Sequence, residues 1–591
     1  MRAPISHKRA NSDKKLSLIS SLWSFIWPTR PYPEQSRETA KMRLIFTGIL
    51  ACSCFAVIGA KAFQLATTAN GSDTEIYVRL PGADRGAIYD RNGRVLAQTI
   101  PIMTLHADPQ QILDPNEVAD KLSALLPDRT SSEIMTALTR KTRYVELDRK
   151  ITPRRHAAIL GLGLPGVFIT PSNLRAYPNG REAAHILGQV NRDGKGIAGI
   201  EKSMEDRLAA GQNVSLSIDL GIQAVVRRAL ARQIETFEAL GGTGLVTNIR
   251  TGEIIAIASL PDYDPNHYAA AKPEALFNQA TKGVFEMGSI FKVLNTAIAL
   301  EAGSAALTST YDVTHPLRVG GFPIRDYHPY DRFLNLSEVL VYSSNIGSAR
   351  IAEDIGPDVQ RSYMNKLGLL DRPTLELAET AQPLYPARWG RLSSYTISFG
   401  HGISVSPVHV AGAVSAAAGT GEFTAPTLLK RRPNEVIERV RIFSDETTRK
   451  VRSMMRLVVS HEDGTANFAE ASGYLVGAKT GTAEKIKNKR YDKSANLVSV
   501  VAAFPINDPK YLVFVMVDEP KPQKHSYGYA TAGWVAAPVI AEIVNRIAPI
   551  LNVHPVDINQ PEIRQNLEPD LRIGGKEQFV HLTELLADIP L

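Results

Sequence analysis

The chain is nearly devoid of cysteine. Two occur in 591 residues, Cys52 and Cys54, and both lie in one apolar run near the N-terminus. Whatever follows that run can make no disulfide, which an oxidising compartment permits without requiring one. Metal-ligand patterns are missing too. No Cys/His cluster has ligand spacing and no His-Glu-x-x-His occurs, so a zinc enzyme is not expected, and no other cofactor is called for. Nor does charge of one sign dominate. The net charge of +7 is modest for this length, and the apolar and charged fractions are those of an ordinary large globular chain.

What positive charge there is gathers partly at the start. Arg2, Lys8, Arg9, Lys14, Lys15, Arg30, Arg37, Lys41 and Arg43 face only Asp13, Glu34 and Glu38. A nucleic-acid arm would look similar, but the next stretch argues for a membrane. Leu44 to Ala60 carries no charge, and the apolar character resumes past Lys61 to Leu65. That is long enough to cross a bilayer if Lys61 snorkels. Basic residues before the span and few just after it put the N-terminus in the cytoplasm and the rest outside. A cleaved signal peptide fits poorly, because the basic region and the apolar core are both too long. The expectation is a basic cytoplasmic tail over 1–43 and an uncleaved single-pass anchor over 44–65.

Residues 66–217 are polar, loop-rich and mixed. Arg85 to Ala97 has the pattern strand, Asn92-Gly93 turn, strand. Glu117–Leu126 and Ser131–Leu138 look like short amphipathic helices, and Arg175–Pro178 and Gly196–Glu201 like loops and turns. No catalytic cluster is evident, and the charged residues should be solvated or paired. This is expected to be a mixed α/β spacer or interaction domain.

From 218 to 551 the pattern changes. Asp219–Leu240 gives one amphipathic helix with Ile222, Val225, Val226, Ala229, Leu230 and Ile234 near one face. Gly244–Ile249 and Glu253–Ala258 flank a turn as a hairpin. Leu497–Phe504 and Tyr511–Val517 make a second hairpin, and Trp534–Ile550 a closing helix. Strands at both ends with helices between imply one sheet assembled from distant parts and covered by helices, an α/β (α+β) architecture. From Asn552 to 591 the chain is expected to be a tail, partly folded.

Inside that segment lies the stretch with chemistry. Phe285 to Lys292 leads into a helix that is apolar nearly all round, hence buried. Gly288 sits at the turn, Ser289 in the first helical turn, and Lys292 three residues on, so both side chains share one face. A serine hydroxyl needs a base to become a nucleophile. Burial and the positive end of the helix dipole both lower a lysine pKa and free it for that task. Ser289 is the candidate nucleophile and Lys292 its base. Ser12 and Lys15 share the spacing, so the pair alone is not diagnostic; the bland alternative is a capping serine beside a solvated lysine. Two later stretches change this. Ser343-Ser344-Asn345 follows a helix-like run, and Lys479-Thr480-Gly481-Thr482 ends a strand-like run from Tyr474.

Ser-x-x-Lys, then Ser-x-Asn, then Lys-Thr-Gly, in that order, resembles the motif set of penicillin-binding proteins and serine β-lactamases. The middle motif is Ser-Ser-Asn here, not Ser-Asp-Asn. With the anchor and the non-catalytic module, the chain resembles a class B penicillin-binding protein from the span to about Leu551. Arg85–Ala97, Arg175–Glu201 and Gly400–Pro407 look like further family signatures. The resemblance implies a penicillin-binding transpeptidase fold, a central antiparallel sheet covered by helices plus an all-helical subdomain, on a pedestal of the dimerisation type. It implies D,D-transpeptidation of peptidoglycan stem peptides through a serine acyl-enzyme, with β-lactams as inhibitors. Ser343 would relay a proton to the leaving amine, and Asn345 would hold substrate and Lys292. Lys479 would supply positive charge near the substrate carboxylate, and Thr480 and Thr482 would bond that carboxylate. Gly481 would let the backbone approach, and the N–H groups of Ser289 and Thr482 would form the oxyanion hole. His401 and His328 are expected to be packing or loop residues.

Several rivals share parts of this pattern. A β-lactamase needs a water-activating acid; Asp331–Asn335 superficially resembles that loop but precedes Ser343 instead of following it. A β-lactam sensor would carry a metalloprotease segment, and a bifunctional synthase a glycosyltransferase domain. A non-enzymatic assembly platform stays open. Of the two class B branches, Ser343-Ser344-Asn345, the compact segment before Lys479 and Phe285–Lys292 look like the Gram-negative division enzyme, with elongation as the alternative. The division reading implies an inner-membrane protein with a periplasmic catalytic domain at the septum. Its partners would be division-complex membrane proteins, including a lipid II glycosyltransferase, and no nucleic acid.

Overall fold

The computed structural model describes residues 37–68, 84–487 and 490–567. Most of the basic tail, with Ser12 and Lys15, lies outside the described residues, as does the tail beyond 567.

Arg37–Thr68 is one 32-residue helix, α1. Its apolar stretch Leu44–Lys61 has 18 residues. At about 1.5 Å per residue that is roughly 27 Å, close to the hydrocarbon thickness of a bilayer. Leu44, Ile45, Ile49, Phe55, Val57 and Ile58 are all exposed. The hydroxyls of Thr47 and Ser53 donate to the Leu44 and Ile49 carbonyls at 3.1 and 2.8 Å, which satisfies them within the helix as a lipid surrounding demands. The helix is long and apolar enough to cross a membrane.

The second unit begins with a five-stranded sheet. Strand β1 (Ile88–Tyr89) turns through Asn92-Gly93 into β2 (Val95–Ala107), with Ile88 opposite Ala97. The helices α2 (Pro115–Ser123) and α3 (Ser131–Leu138) follow, then β3 (Val145–Asp148), α4 (Pro153–Gly161) and β4 (Val167–Ala176). Asp114, Thr130 and Thr152 cap the three helices by accepting N–H groups of the first turn. Val118, Leu122, Ile134, Leu138 and Ile159 pack with Leu105, Val145 and Leu147 as a small separate core.

The stretches around Arg175 and Glu201, expected as loops and turns, are regular structure in part. Arg175 lies in β4, opposite Thr99 of β2, and Glu201 in a short helix, α5 (Gly199–Ser203). Pro171 hides this strand from pattern reading, and an edge strand tolerates it. Their charges are paired, not solvated. Arg175 Nε and Arg85 Nε each donate to one oxygen of the fully buried Glu201, at 2.6 and 2.8 Å, and Arg85 also reaches Glu205 at 2.8 Å. Strand β5 (Val214–Ser215) pairs parallel with β1.

Asp219 caps α6 (Leu220–Thr236), which buries Ile222, Val226, Ala229 and Leu230, with Val225 and Ile234 half-buried. Packing runs on across residue 217: Ile88, Leu96, Ile186 and Ile200 belong to the same core as the following sheet. That sheet joins β6 (Gly241–Asn248) and β7 (Ile254–Leu260) to three strands from the far end, β8 (Gly477–Lys487), β9 (Arg490–Phe504) and β10 (Tyr511–Asp518). The order is β8–β9–β10–β6–β7, antiparallel throughout, with Lys479 opposite Val501 and Val513 opposite Val246. The strand that carries Lys479 is an edge of this sheet.

Between the two strand sets run α7 (Phe291–Glu301), α8 (Leu336–Val341), α9 (Asn345–Ile355), α10 (Pro407–Ala418) and α11 (Asp445–Ser460). Three two-stranded ribbons punctuate these helices, so this part is not wholly helical. The closing helix is broken. A short turn, Ala532–Val535, precedes α12 (Ala537–Ile547), whose second residue is Pro538. Its ring and missing N–H interrupt the helix behind it. In the tail, α13 (Pro561–Leu567) buries Ile563 and Leu567, so the tail is partly folded.

Candidate active site

Ser289 stands in a 3₁₀ turn, Gly288–Ile290, that feeds α7. Gly288 has φ +55°, and a Cβ there would lie 2.6 Å from the Thr482 carbonyl oxygen. Only glycine lets the turn sit this close to β8. Gly481 answers from the other side, where a Cβ would come within 2.4 Å of the Met287 carbonyl oxygen. The two glycines bring Ser289 and Thr482 together from segments far apart in sequence.

Helix α7 is buried from Phe291 through Ala299, which carries Lys292 into the interior at 1% exposure. Its Nζ lies 3.0 Å from Ser289 Oγ, 2.8 Å from Asn345 Oδ1 and 3.2 Å from Ser343 Oγ, and it donates to the Ser343 carbonyl. Burial first, then the nearby Lys479 charge, push the Lys292 pKa well below the usual lysine range, while Asp326 opposes. Lys479, fully buried on β8, is brought down to about 7 by burial. Ser343 Oγ lies between the two amines, 3.0 Å from Lys479 Nζ. Ser343 has φ +60°, uncommon for a residue with a side chain. This backbone puts the hydroxyl between the lysines while its neighbours start α9. Strain of this kind gathers at functional sites.

The expected residues Ser289, Lys292, Ser343, Asn345 and Lys479 thus meet in one hydrogen-bonded cluster. Thr480 behaves otherwise. It is buried, and its hydroxyl donates to Thr465 Oγ1 at 2.8 Å, whereas Thr482 is exposed. The arrangement can move a proton from a serine hydroxyl to an unprotonated amine and on through a second hydroxyl. Among the described residues, no group of three or more His, Cys, Asp or Glu is placed to hold a metal.

Sequence reasoning missed Asp326. Its carboxylate accepts the Ser344 hydroxyl at 2.7 Å and the N–H groups of Asn345 and Ile346 at 2.5 and 3.0 Å. It holds the start of α9, where the helix dipole favours an anion, and so fixes Asn345. A lone aspartate in a loop gives no pattern that could have singled it out. His401 packs between Phe399 and Tyr491, with ring centroids 5.3 and 5.8 Å away, and His328 stands edge-on to Tyr327. Arg332, beside Asp331, is bound to Glu338 at 2.9 Å.

Residues 242–545 match the model of the penicillin binding protein transpeptidase domain, and residues 81–217 that of the penicillin-binding protein dimerisation domain. The chain is 36% identical over 556 residues to the probable peptidoglycan D,D-transpeptidase FtsI of Caulobacter vibrioides, covering 90% of this chain and 94% of that one. It is 29% identical to the peptidoglycan D,D-transpeptidase FtsI of Escherichia coli K12, covering 93% and 97%. Among solved structures, penicillin binding protein 3 of Mycobacterium tuberculosis in complex with aztreonam superposes with a TM-score of 0.65 at 23% identity, over 80% of this chain and 98% of that one.

Proposed function

The chain belongs to the class B penicillin-binding proteins, and from that premise we propose that its cleft cross-links peptidoglycan stem peptides through an acyl-enzyme on Ser289. It is a serine D,D-transpeptidase. Ser289 Oγ attacks the carbonyl carbon of the penultimate D-alanine of a donor stem, and its proton passes to the unprotonated Lys292. The oxyanion so formed is held by the N–H groups of Ser289 and Thr482. The C–N bond to the terminal D-alanine then breaks. The leaving nitrogen takes the proton, relayed from Lys292 through Ser343, and D-alanine departs. An acceptor stem's amine attacks the ester carbonyl and gives up a proton along the same relay. Ser289 leaves with a proton, and an amide cross-link remains.

The ammonium of Lys479 attracts the donor's terminal carboxylate, and the Thr482 hydroxyl bonds it. Thr480 braces the strand through Thr465, and Gly481 admits the backbone. Asn345 orients Lys292. A β-lactam acylates the same serine. One observation carries the reading: a serine hydroxyl 3.0 Å from a buried lysine whose other partner hydroxyl, Ser343, also touches a second buried lysine. Supplied with nascent glycan strands, the full-length protein in detergent should produce stem-peptide dimers detectable by mass. Ser289→Ala should produce none; dimers from that variant would overturn the assignment.

The proposed organisation is a cytoplasmic tail over 1–43, an anchor over 44–65, a pedestal over 66–217, a transpeptidase domain over 218–551 and a tail over 552–591. The protein is membrane-anchored in septal wall synthesis. The finer reading puts it in the inner membrane, N-terminus cytoplasmic and catalytic domain periplasmic, beside division-complex proteins that include a lipid II glycosyltransferase. The resemblance to proteins named FtsI supports it. A fluorescent fusion should gather at midcell and depletion should block septation. Lateral-wall distribution, with depleted cells rounding up yet dividing, would transfer the chain to the elongation branch.

A further inference from the structure

Around Ser289 three backbones meet with no side chain between them. Besides the contacts of Gly288 and Gly481 with β8 and Met287, a Cβ on Gly400 would lie 2.1 Å from the Gly288 carbonyl oxygen. The turn bearing Ser289 is therefore clamped between the 400–402 loop and β8. Phe285 and Val405 anchor the far side of this clamp by exchanging N–H···O bonds of 2.9 and 3.0 Å. Glu286 follows at once. Its carboxylate accepts the Gly402 N–H at 2.7 Å and lies 3.2 Å, through both oxygens, from the phenol of Tyr491.

Tyr491 is on β9, opposite Ile486 of β8, in the hairpin that presents Thr482. Burial, then the Glu286 charge, raise its pKa to about 12, so near neutral pH the phenol keeps its proton and donates to the carboxylate. One side chain, three residues before Ser289, thus ties both walls of the clamp to the Ser289 segment.

We propose that Glu286 is a positioning residue for acylation, setting the spacing of the 400–402 loop and the β8–β9 hairpin that aims the Thr482 N–H at the oxyanion. This rests on the reading of Ser289 as nucleophile and Thr482 as oxyanion donor. Loss of an oxyanion donor outright costs about 10²–10³-fold in rate, and a donor kept but misaligned should cost less, on the order of tenfold.

The test uses full-length protein in detergent and resolves penicillin acylation into its rate constant and its non-covalent affinity. Glu286→Ala should lose about tenfold in the rate constant with affinity within about twofold. Glu286→Gln, which can still accept from Gly402 and donate to Tyr491, should recover to within about threefold of wild type. An unchanged rate in Glu286→Ala, a loss confined to affinity, or failure of glutamine to rescue would each overturn the proposal. Should Glu286→Ala not fold, Tyr491→Phe decides. An about threefold slower rate at equal affinity supports the role, and an unchanged rate contradicts it. Mapping the label on wild-type protein is the separate control, since a label away from Ser289 would remove the underlying reading whatever the variants do.

Discussion

In the pedestal, Glu201 lies fully buried with Arg85 on one oxygen and Arg175 on the other. At the active site, Lys292 and Lys479 are just as buried, but hydroxyl, amide and carbonyl oxygens surround them, and among the described residues no carboxylate bonds either amine. The first cluster pairs opposite charges directly and so binds three distant segments together. The second surrounds its amines with neutral oxygens, so burial lowers both lysine pKa values: Lys292 far enough to serve as a base, Lys479 to about 7, where it still carries a proton part of the time. The same desolvation that makes one node a brace makes the other a base. Buried ionisable groups with neutral partners are where chemistry is to be sought.

The sharpest way to break this contrast is to remove one member of each node. Lys292→Ala should lower penicillin acylation by about 10²–10⁴-fold, the usual worth of a general base, while the protein melts close to wild type. Glu201→Ala should do the reverse. It strands two arginines without a partner and should cost about 3–5 kcal/mol of stability, read by denaturant titration, while the folded fraction still labels at the wild-type rate. If Glu201→Ala instead slowed labelling with stability intact, the pedestal node would be more than a brace.

Stability against pH sharpens the contrast further. Lys479 has a folded pKa of about 7, against an ordinary value near ~10.4 when unfolded. Between these the unfolded chain binds more protons, so stability should rise with pH, by at most about 1.4 kcal/mol per unit from this group. Lys292, also lowered, acts in the same direction. Denaturant titrations at pH 7, 8 and 9 should show a shallower rise in Lys479→Met than in wild type, and a full rise in Glu201→Gln. Equal slopes in wild type and Lys479→Met would mean that burial does not depress this lysine. The smallest effect is expected next door. Ser344→Ala removes the α9 cap and the bond to Asp326, and should cost about 1 kcal/mol with a slight loss of acylation rate.

The cleft was more legible in sequence than the pedestal. Ser289 and Lys292 share a helix face, and the Ser343 and Lys479 motifs bring their own residue order, so local spacing points to the site before any fold is known. The sheet was legible for a similar reason, since its strands alternate around recognisable turns. The Glu201 node leaves no such trace. Arg85 lies 116 residues from its partner and Arg175 lies 26 away, and no periodicity links them. Pro171 disguised β4, and Pro538 broke a helix whose apolar pattern runs on past it. The resemblance assigned the Thr480 hydroxyl to the substrate carboxylate, and no local pattern shows that it also meets the Thr465 hydroxyl at 2.8 Å. Asp326 and Glu286 escaped because each acts through backbone N–H groups brought near by folding.

The central claim is that Ser289 is the nucleophile and the buried Lys292 its base. It is tested most directly by labelling the full-length protein with a fluorescent penicillin, digesting it, and mapping the modified peptide by mass spectrometry, in wild type and Lys292→Ala. The label should sit on Ser289 in wild type and be nearly absent from a normally melting Lys292→Ala. A label on any other residue, or wild-type labelling of the folded lysine variant, would contradict the account.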